Sequence, residues 1–370
     1  MKILRAKKNE YDEIQRFLEE VYGHSYNFFP SDYPHVWTKD NIQYENIFLI
    51  KEDNRIVSLV RLFPLKATIN NVKIKLGGIG GVSTSYKHRG KGYMSALMNA
   101  VIEEMKKEKY PISILWGDRR RYNNFGYENV GNIVEICITS RGLENLKIEP
   151  IDVKRYLGQE KILKRIIDNY NKHSIRIERT EEEFKEILKK QGILTYYGIE
   201  KERFGYISIK GEFIAEYGGD SDVILKILKY LNKRFETPRF LMDFPKFSLI
   251  PQKILNTASW WHNKISADMI KIINLKDTFQ IYKERFKNNL DSQQEITFSI
   301  KEGESVIVKN SNGKIQIEEG TGKNLICLTE PEMVRLLFSS PDWFSFDMQL
   351  FKTLKNILPF ELFVWPLNHI

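Results

Sequence analysis

The chain has 370 residues, of which 42% are hydrophobic and 28% charged, and it carries a formal net charge of +9. That length asks for two or three domains, and that composition excludes a disordered chain. No apolar run approaches the roughly 20 residues that cross a bilayer, the histidines and cysteines show no paired ligand spacing, and the lysines are spread along the chain rather than gathered among aromatics. No membrane, metal or nucleic-acid partner is therefore expected. The stretch "MKILRAKKNEYDEI" turns polar at once, so no signal peptide is expected and the location is expected to be cytoplasmic. Cys137 and Cys327 lie far apart in apolar, strand-like stretches and are expected to be buried reduced thiols.

In chain order, Ile14, Phe17, Leu18 and Val21 recur at helical spacing and predict a helix from about Glu10 to Val21. "NIFLI" and "RIVSLVRLFP" read as two strands of a hairpin turned at Glu52 to Asn54. "ATINNVKIKLGGIGGVS" turns at Asn70-Asn71 and keeps strand character up to Val82. A basic glycine loop follows, then Met94, Leu97, Met98, Val101 and Met105 at steps of 0, 3, 4, 7 and 11, a helical stripe. "ISILWG" reads as a short buried strand, "RRRYNNFGYENVG" as a loop or short helix, and "NIVEICIT" as a strand.

A change of composition near Ser140 to Asp152 suggests a domain boundary. Beyond it, helices are predicted over Val153 to Asn171 and Glu181 to Lys190. Strands "ILTYYGIE" and "RFGYISIKGEFIAEYGGD", a helix "DVILKILKYLNKRF" and a strand "RFLMDFP" then echo the first part, with Gly218-Gly219-Asp220 where the basic loop stood. The third part starts near "MIKIINLKDTFQIYKERF" and continues as antiparallel strands with Glu-Gly and Asn-Gly turns, then a helix "EPEMVRLLF". The closing "PFELFVWPLNHI" is too apolar to fray and is expected to dock.

The stretch "YKHRGKGYMSALM", Tyr86 to Met98, sits between strand and helix and fits Lys-x-x-Gly-x-Gly with Lys87, Gly90 and Gly92. Glycines let a backbone approach a pyrophosphate, and the first helical turn offers unpaired N–H groups and the positive end of a dipole. Lys87, Arg89 and Lys91 add charge. It is neither a Walker loop nor the dinucleotide fingerprint. A glycine run, Gly77 to Gly81, precedes it on the strand, where glycine signals a close approach. These features alone leave open a phosphate cradle or a solvated basic turn.

"VSTSYKHRGKGYMSALM" resembles the acyl-coenzyme A signature of the GCN5-related N-acetyltransferases, with Lys87 where that family has Arg or Gln. "RYNNFGYENVG" is similar to the family's Tyr-x-x-Phe-Gly-Phe/Tyr element. Over nearly all residues, the order of parts resembles the enhanced intracellular survival acetyltransferases. The resemblance implies a mixed α/β fold: a catalytic acetyltransferase domain (1–145), a degenerate second copy (146–265) and a sterol carrier protein-like domain (266–370) whose tail reaches the active site. It implies acetyl-coenzyme A as co-substrate, held by Gly80, Gly81 and Val82 on the strand, His88, Arg89, Gly90, Lys91, Gly92 and Tyr93 in the loop, and Gly117 and Asp118 after the next strand. It further implies Tyr122 as general acid and the carboxylate of Ile370 as general base, with a small-molecule or peptide amine as acceptor and a homo-oligomer, a hexamer in relatives.

The chemistry suits these groups. An alkylammonium of pKa about 10.4 is neutral in about one molecule in a few thousand at pH 7, so a base must take its proton. Each residue also has a plain alternative: Tyr122 as packing beside Phe125 and Tyr127, Ile370 as a core plug, Asp118 as a turn cap. The aromatics of "HSYNFFPSDYPHVW" line an acceptor pocket or close a core. A penultimate His369 and the +9 charge speak against polycationic acceptors. Two other classes compete: an aminoacyl transferase with tandem acetyltransferase-like domains, and a non-catalytic lipid- or ligand-binding protein.

Overall fold

The computed structural model describes residues 2–246, 250–265 and 268–369. The chain forms two compact units, one of Met1–Tyr26, Gln43–Gly131 and Ile265–Leu362, the other of Asn27–Ile42, Asn132–Lys264 and Phe363–Ile370. Both are built of helices and mixed sheets.

In the first unit the strands run in the order Leu4–Arg5, Ile47–Glu52, Arg55–Ile69, Val72–Thr84, Ile112–Trp116, Asp268–Ile272, Glu128–Asn129. The first four are antiparallel, and their hairpins turn at Asp53-Asn54 (φ 48° and 63°) and Asn70-Asn71 (φ 47° and 71°). Two successive positive φ values match the twist of the flanking strands, and Asn and Asp tolerate them. The helix Tyr93–Lys107 buries Leu97, Met98, Val101 and Met105 of the predicted stripe, with Ile102 beside them, against Leu62, Ile79 and Leu115 of the sheet, while Met94 is only partly buried. Within the glycine run, Gly77 and Gly80 are explained by neighbouring side chains. A Cβ on Gly77 would strike Met105 Sδ, and one on Gly80 would strike the Phe63 ring. A second sheet in this unit orders Lys314–Glu319, Ser305–Ser311, Glu295–Ile300 and Leu325–Leu328, with the predicted Asn312-Gly313 turn at φ 53° and 85°.

The other unit has one seven-stranded sheet, in the order Trp260–Ile265, Asn132–Thr139, Arg239–Pro245, Phe213–Gly219, Arg203–Lys210, Leu194–Glu200, Val153–Arg155. Its topology repeats that of the first. Three antiparallel strands lead through a helix, here Ser221–Phe235, to a strand parallel to the third. Its tail segment docks, with Trp365 buried 4.5 Å from the His173 ring and 5.0 Å from that of Tyr217. Arg179 Nε donates to Asn368 Oδ1, and Lys190 Nζ donates to the carbonyls of Leu367 and His369.

Two expectations change, and one open reading is decided. The compact units divide at Gly131/Asn132 and at Lys264/Ile265, where limits after 145 and 265 were expected. Asn132–Thr139 pairs with Arg239–Pro245, and Asp268–Ile272 pairs with Ile112–Trp116. Both are short apolar strands covered on both faces, and such a strand carries no mark of the sheet that will take it. The helix predicted from Val153 begins only at Glu160, because Gly158 at φ 97° breaks the chain after a strand over Val153–Arg155. Cys137 is buried but Cys327 is exposed, since Leu325–Leu328 is an edge strand that turns Ile326 inward and Cys327 outward. In "HSYNFFPSDYPHVW", Phe29 and Trp37 are buried with ring centres 5.5 Å apart, so these two aromatics close a core.

Candidate active site

The site starts where a ladder stops. Val72–Thr84 and Ile112–Trp116 pair in parallel from Leu76 opposite Ile112 to Ile79 opposite Leu115, and then the pairing ends although both strands continue. Gly80, Gly81 and Val82 follow on one strand, and Trp116, Gly117 and Asp118 on the other. On its far side the glycine strand is also irregular. Leu59 pairs with Ser83 but Arg61 pairs with Gly80, so Gly81 and Val82 together face Val60 in a β-bulge. Gly81 has φ 61°, which glycine adopts at little cost.

The strand then enters the basic loop. Tyr86–His88 forms one 3-10 turn, and Gly90 and Gly92 take φ 79° and 78°. Nothing stands within 4 Å of where a Cβ would sit on either glycine. Gly92 is the N-cap of the Tyr93–Lys107 helix, and no side chain caps that end. The N–H groups of the first turn are therefore left for an acceptor from outside. The matching helix of the second unit differs at this very point: Asp220 Oδ1 accepts from the N–H groups of Asp222 and Val223. A carboxylate of the chain itself occupies the place that a phosphate would need.

A cleft of about 660 Å³ lies along the loop, lined among others by Val82, His88, Arg89, Gly90, Gly92 and Tyr93. Gly80, Gly81, Lys91, Gly117, Asp118 and Tyr122 do not line it. Ile370 lies outside the described residues. Sequence reasoning missed Tyr22 and Arg121, which also line the cleft. The Tyr22 hydroxyl donates to the Val82 carbonyl at 3.0 Å and ties the first helix to the bulge. Glu52 was missed too. Its carboxylate meets His88 Nε2 at 3.2 Å, Lys91 Nζ at 3.2 Å and the Tyr93 hydroxyl. The Tyr93 bond, with Lys91 and His88, holds that carboxyl below its usual range. No local pattern marks these three, because they come to the loop from other elements.

Asp118 caps the short helix Arg119–Tyr122 by accepting from the Arg120 N–H at 2.9 Å. A side chain at position 117 would strike the Tyr122 ring, so glycine there lets the ring lie against the strand end. Burial pushes the Tyr122 hydroxyl pKa up, and the adjacent Arg121 guanidinium partly offsets this. The phenol thus keeps its proton at neutral pH. The helix is held from behind by the buried Glu128, which bonds both Arg119 and Arg335, the latter at 2.6 Å. Among the described residues no cluster of His, Cys, Asp and Glu is gathered to hold a metal, and no helix is long and apolar enough to cross a membrane.

Residues 2–130 match the acetyltransferase (GNAT) domain. In fold, the whole chain is similar to a probable N-acyltransferase from Enterococcus faecalis V583, described as a conserved protein of unknown function. The TM-score is 0.74 at 16% identity, covering 100% of this chain and 99% of that one. It is similar to a GCN5-related N-acetyltransferase from Kribbella flavida, with a TM-score of 0.73 at 13% identity and 100% of both chains covered. It is also similar to Eis1 from Mycobacterium abscessus, with a TM-score of 0.70 at 8% identity and again 100% of both chains. No curated protein matches it in sequence. Residues 2–130 thus match an acetyltransferase (GNAT) domain, and the fold of the whole chain is similar to that of these three proteins, Eis1 among them.

Proposed function

We propose that the protein transfers an acetyl group from acetyl-coenzyme A to a primary amine. One observation carries the reading. At the end of a broken parallel ladder, a glycine loop leads into a helix N-terminus that no side chain of the protein caps, whereas the equivalent helix of the second unit is capped by Asp220. That is an anion site kept open in one copy and closed in the other. The loop N–H groups, with Arg89 and His88 in the cleft, would hold the pyrophosphate.

In this reading the Ile370 carboxylate takes a proton from the acceptor ammonium, directly or through water. The freed amine attacks the thioester carbonyl carbon, and N–H groups of the Gly81–Val82 bulge stabilise the oxygen as it gains charge. As the C–S bond breaks, Tyr122 gives its proton to the departing thiolate, and the second proton that the acylated nitrogen must lose passes through solvent to restore Tyr122. Holding both partners together supplies much of the remaining acceleration. Arg89 and Arg121 make the cleft basic, which favours acceptors of low positive charge over polycations. The four-stranded sheet after residue 272 is the part we read as sterol carrier protein-like.

The test is thiol release from acetyl-coenzyme A with a panel of polyamines, aminoglycosides and lysine peptides. Release that depends on one class of amine supports transfer and names the acceptor. Absence of release with every amine, in protein that binds the coenzyme, would count against amine acetylation.

A further inference from the structure

The loop that reads as a pyrophosphate cradle has a single carboxylate tied to three of its side chains. Glu52 ends the strand Ile47–Glu52, more than thirty residues before the loop. Its two oxygens lie 3.2 and 3.3 Å from Lys91 Nζ, and one lies 3.2 Å from His88 Nε2. It also accepts from the Tyr93 hydroxyl. These partners bracket Gly90 and Gly92, the two positions whose left-handed φ values aim the loop's N–H groups. His88 and Tyr93 line the cleft, whereas Lys91 and Glu52 do not. The carboxylate therefore stands behind the loop, outside the space a ligand enters.

A loop with two glycines has many conformations of similar energy, and a phosphate binds tightly only to the one in which the N–H groups converge. A tie across both glycines lowers the entropy lost on binding. A carboxylate near an anionic ligand also repels it, but this one is partly exposed, screened by water, and paired with the Lys91 ammonium. The preorganising effect therefore outweighs the repulsion.

We infer that Glu52 is a positioning residue for the coenzyme: through His88, Lys91 and Tyr93 it fixes the Gly90–Gly92 turn in the form that receives a pyrophosphate. The inference deepens the acetyl-coenzyme A reading and rests on it for the ligand, but the tie itself is a property of the free protein.

Two measurements keep the two apart. Hydrogen exchange over residues 86–93 of the ligand-free protein reads the tie whatever the ligand is. Faster exchange in Glu52→Ala than in the wild type is expected, and equal exchange would overturn the inference. Calorimetry then compares coenzyme A with acetyl-pantetheine, which lacks the pyrophosphate. Glu52→Ala is expected to weaken coenzyme A binding about tenfold, by the loss of charge-assisted bonds, and to leave acetyl-pantetheine binding as it was. Glu52→Gln, which still accepts from Lys91 and Tyr93, is expected to recover part of the loss. Tighter coenzyme A binding in Glu52→Ala would mean that the carboxylate competes with the phosphate, and would overturn the inference. Failure of the wild type to bind coenzyme A would remove the acetyltransferase reading instead, with hydrogen exchange still deciding the tie.

Discussion

Tyr122 illustrates how a residue's surroundings suit it to a task. Its ring lies on Gly117, its hydroxyl meets Arg121, and burial keeps it protonated. Tyr122→Phe keeps the packing and removes only the proton, so turnover should fall about 100-fold, the usual worth of a general acid, while coenzyme A affinity stays within a small factor. Steady-state rates and calorimetry on one preparation check this, and a Phe variant with wild-type turnover would return Tyr122 to a packing role. His369 makes a different prediction. Burial, and then the nearby Lys190, lowers its pKa from 6.5 to about 4. A histidine kept neutral when folded binds protons more readily when unfolded, so its contribution to stability is complete above about pH 6.5 and shrinks as pH falls towards about 4. The melting temperature of the wild type should therefore drop more steeply over that window than that of His369→Phe, and parallel curves would contradict the assignment. The loop glycines and Tyr122 were singled out in the sequence because one short segment carries each. Glu52, Tyr22 and Arg121 were not, because their roles arise only when separate segments meet.

Among the elements, those with local causes were legible and those with remote causes were not. The hairpin turns at Asp53-Asn54 and Asn70-Asn71 follow from residues that accept positive φ, and the Tyr93–Lys107 helix follows from its stripe. The placement of Asn132–Thr139 and Asp268–Ile272 depends on which apolar edge each strand meets, and alternation within a strand does not encode that. The glycine run was legible as a close approach, though not what approaches. Gly77 has an ordinary extended backbone, and a Cβ there would conflict with Met105. Gly77→Val should therefore destabilise the protein by about 1–3 kcal/mol through overpacking. Met105→Ala in the same background should cost less than it does in the wild type, because the new side chain fills part of the hole. Denaturant unfolding of the four proteins in this cycle measures the coupling, and additive effects would refute it.

On the scale of the whole molecule, a topology used twice leaves the start of its central helix uncapped once. The difference comes down to Gly92 in one unit and Asp220 in the other at the start of the same helix. The +9 charge and the arginines of the cleft disfavour polycationic acceptors without selecting one amine. The tail is bolted into the second unit by Lys190, Arg179 and the Trp365 stack, as its apolar composition led one to expect. Extra residues added after Ile370 should lower turnover sharply and spare coenzyme binding, because they remove the proposed base without touching the loop. Unchanged turnover would take the terminal carboxylate out of the mechanism.

The central claim, that the uncapped helix and its glycine loop hold the coenzyme's pyrophosphate, is tested most directly by calorimetry of coenzyme A on the wild type and on Gly90→Glu. At φ 79° with open space around it, position 90 would carry the new carboxylate into the phosphate's approach at some backbone strain. Binding to the wild type that disappears in Gly90→Glu is the predicted result. Absence of binding to the wild type, or equal binding to both proteins, would contradict it.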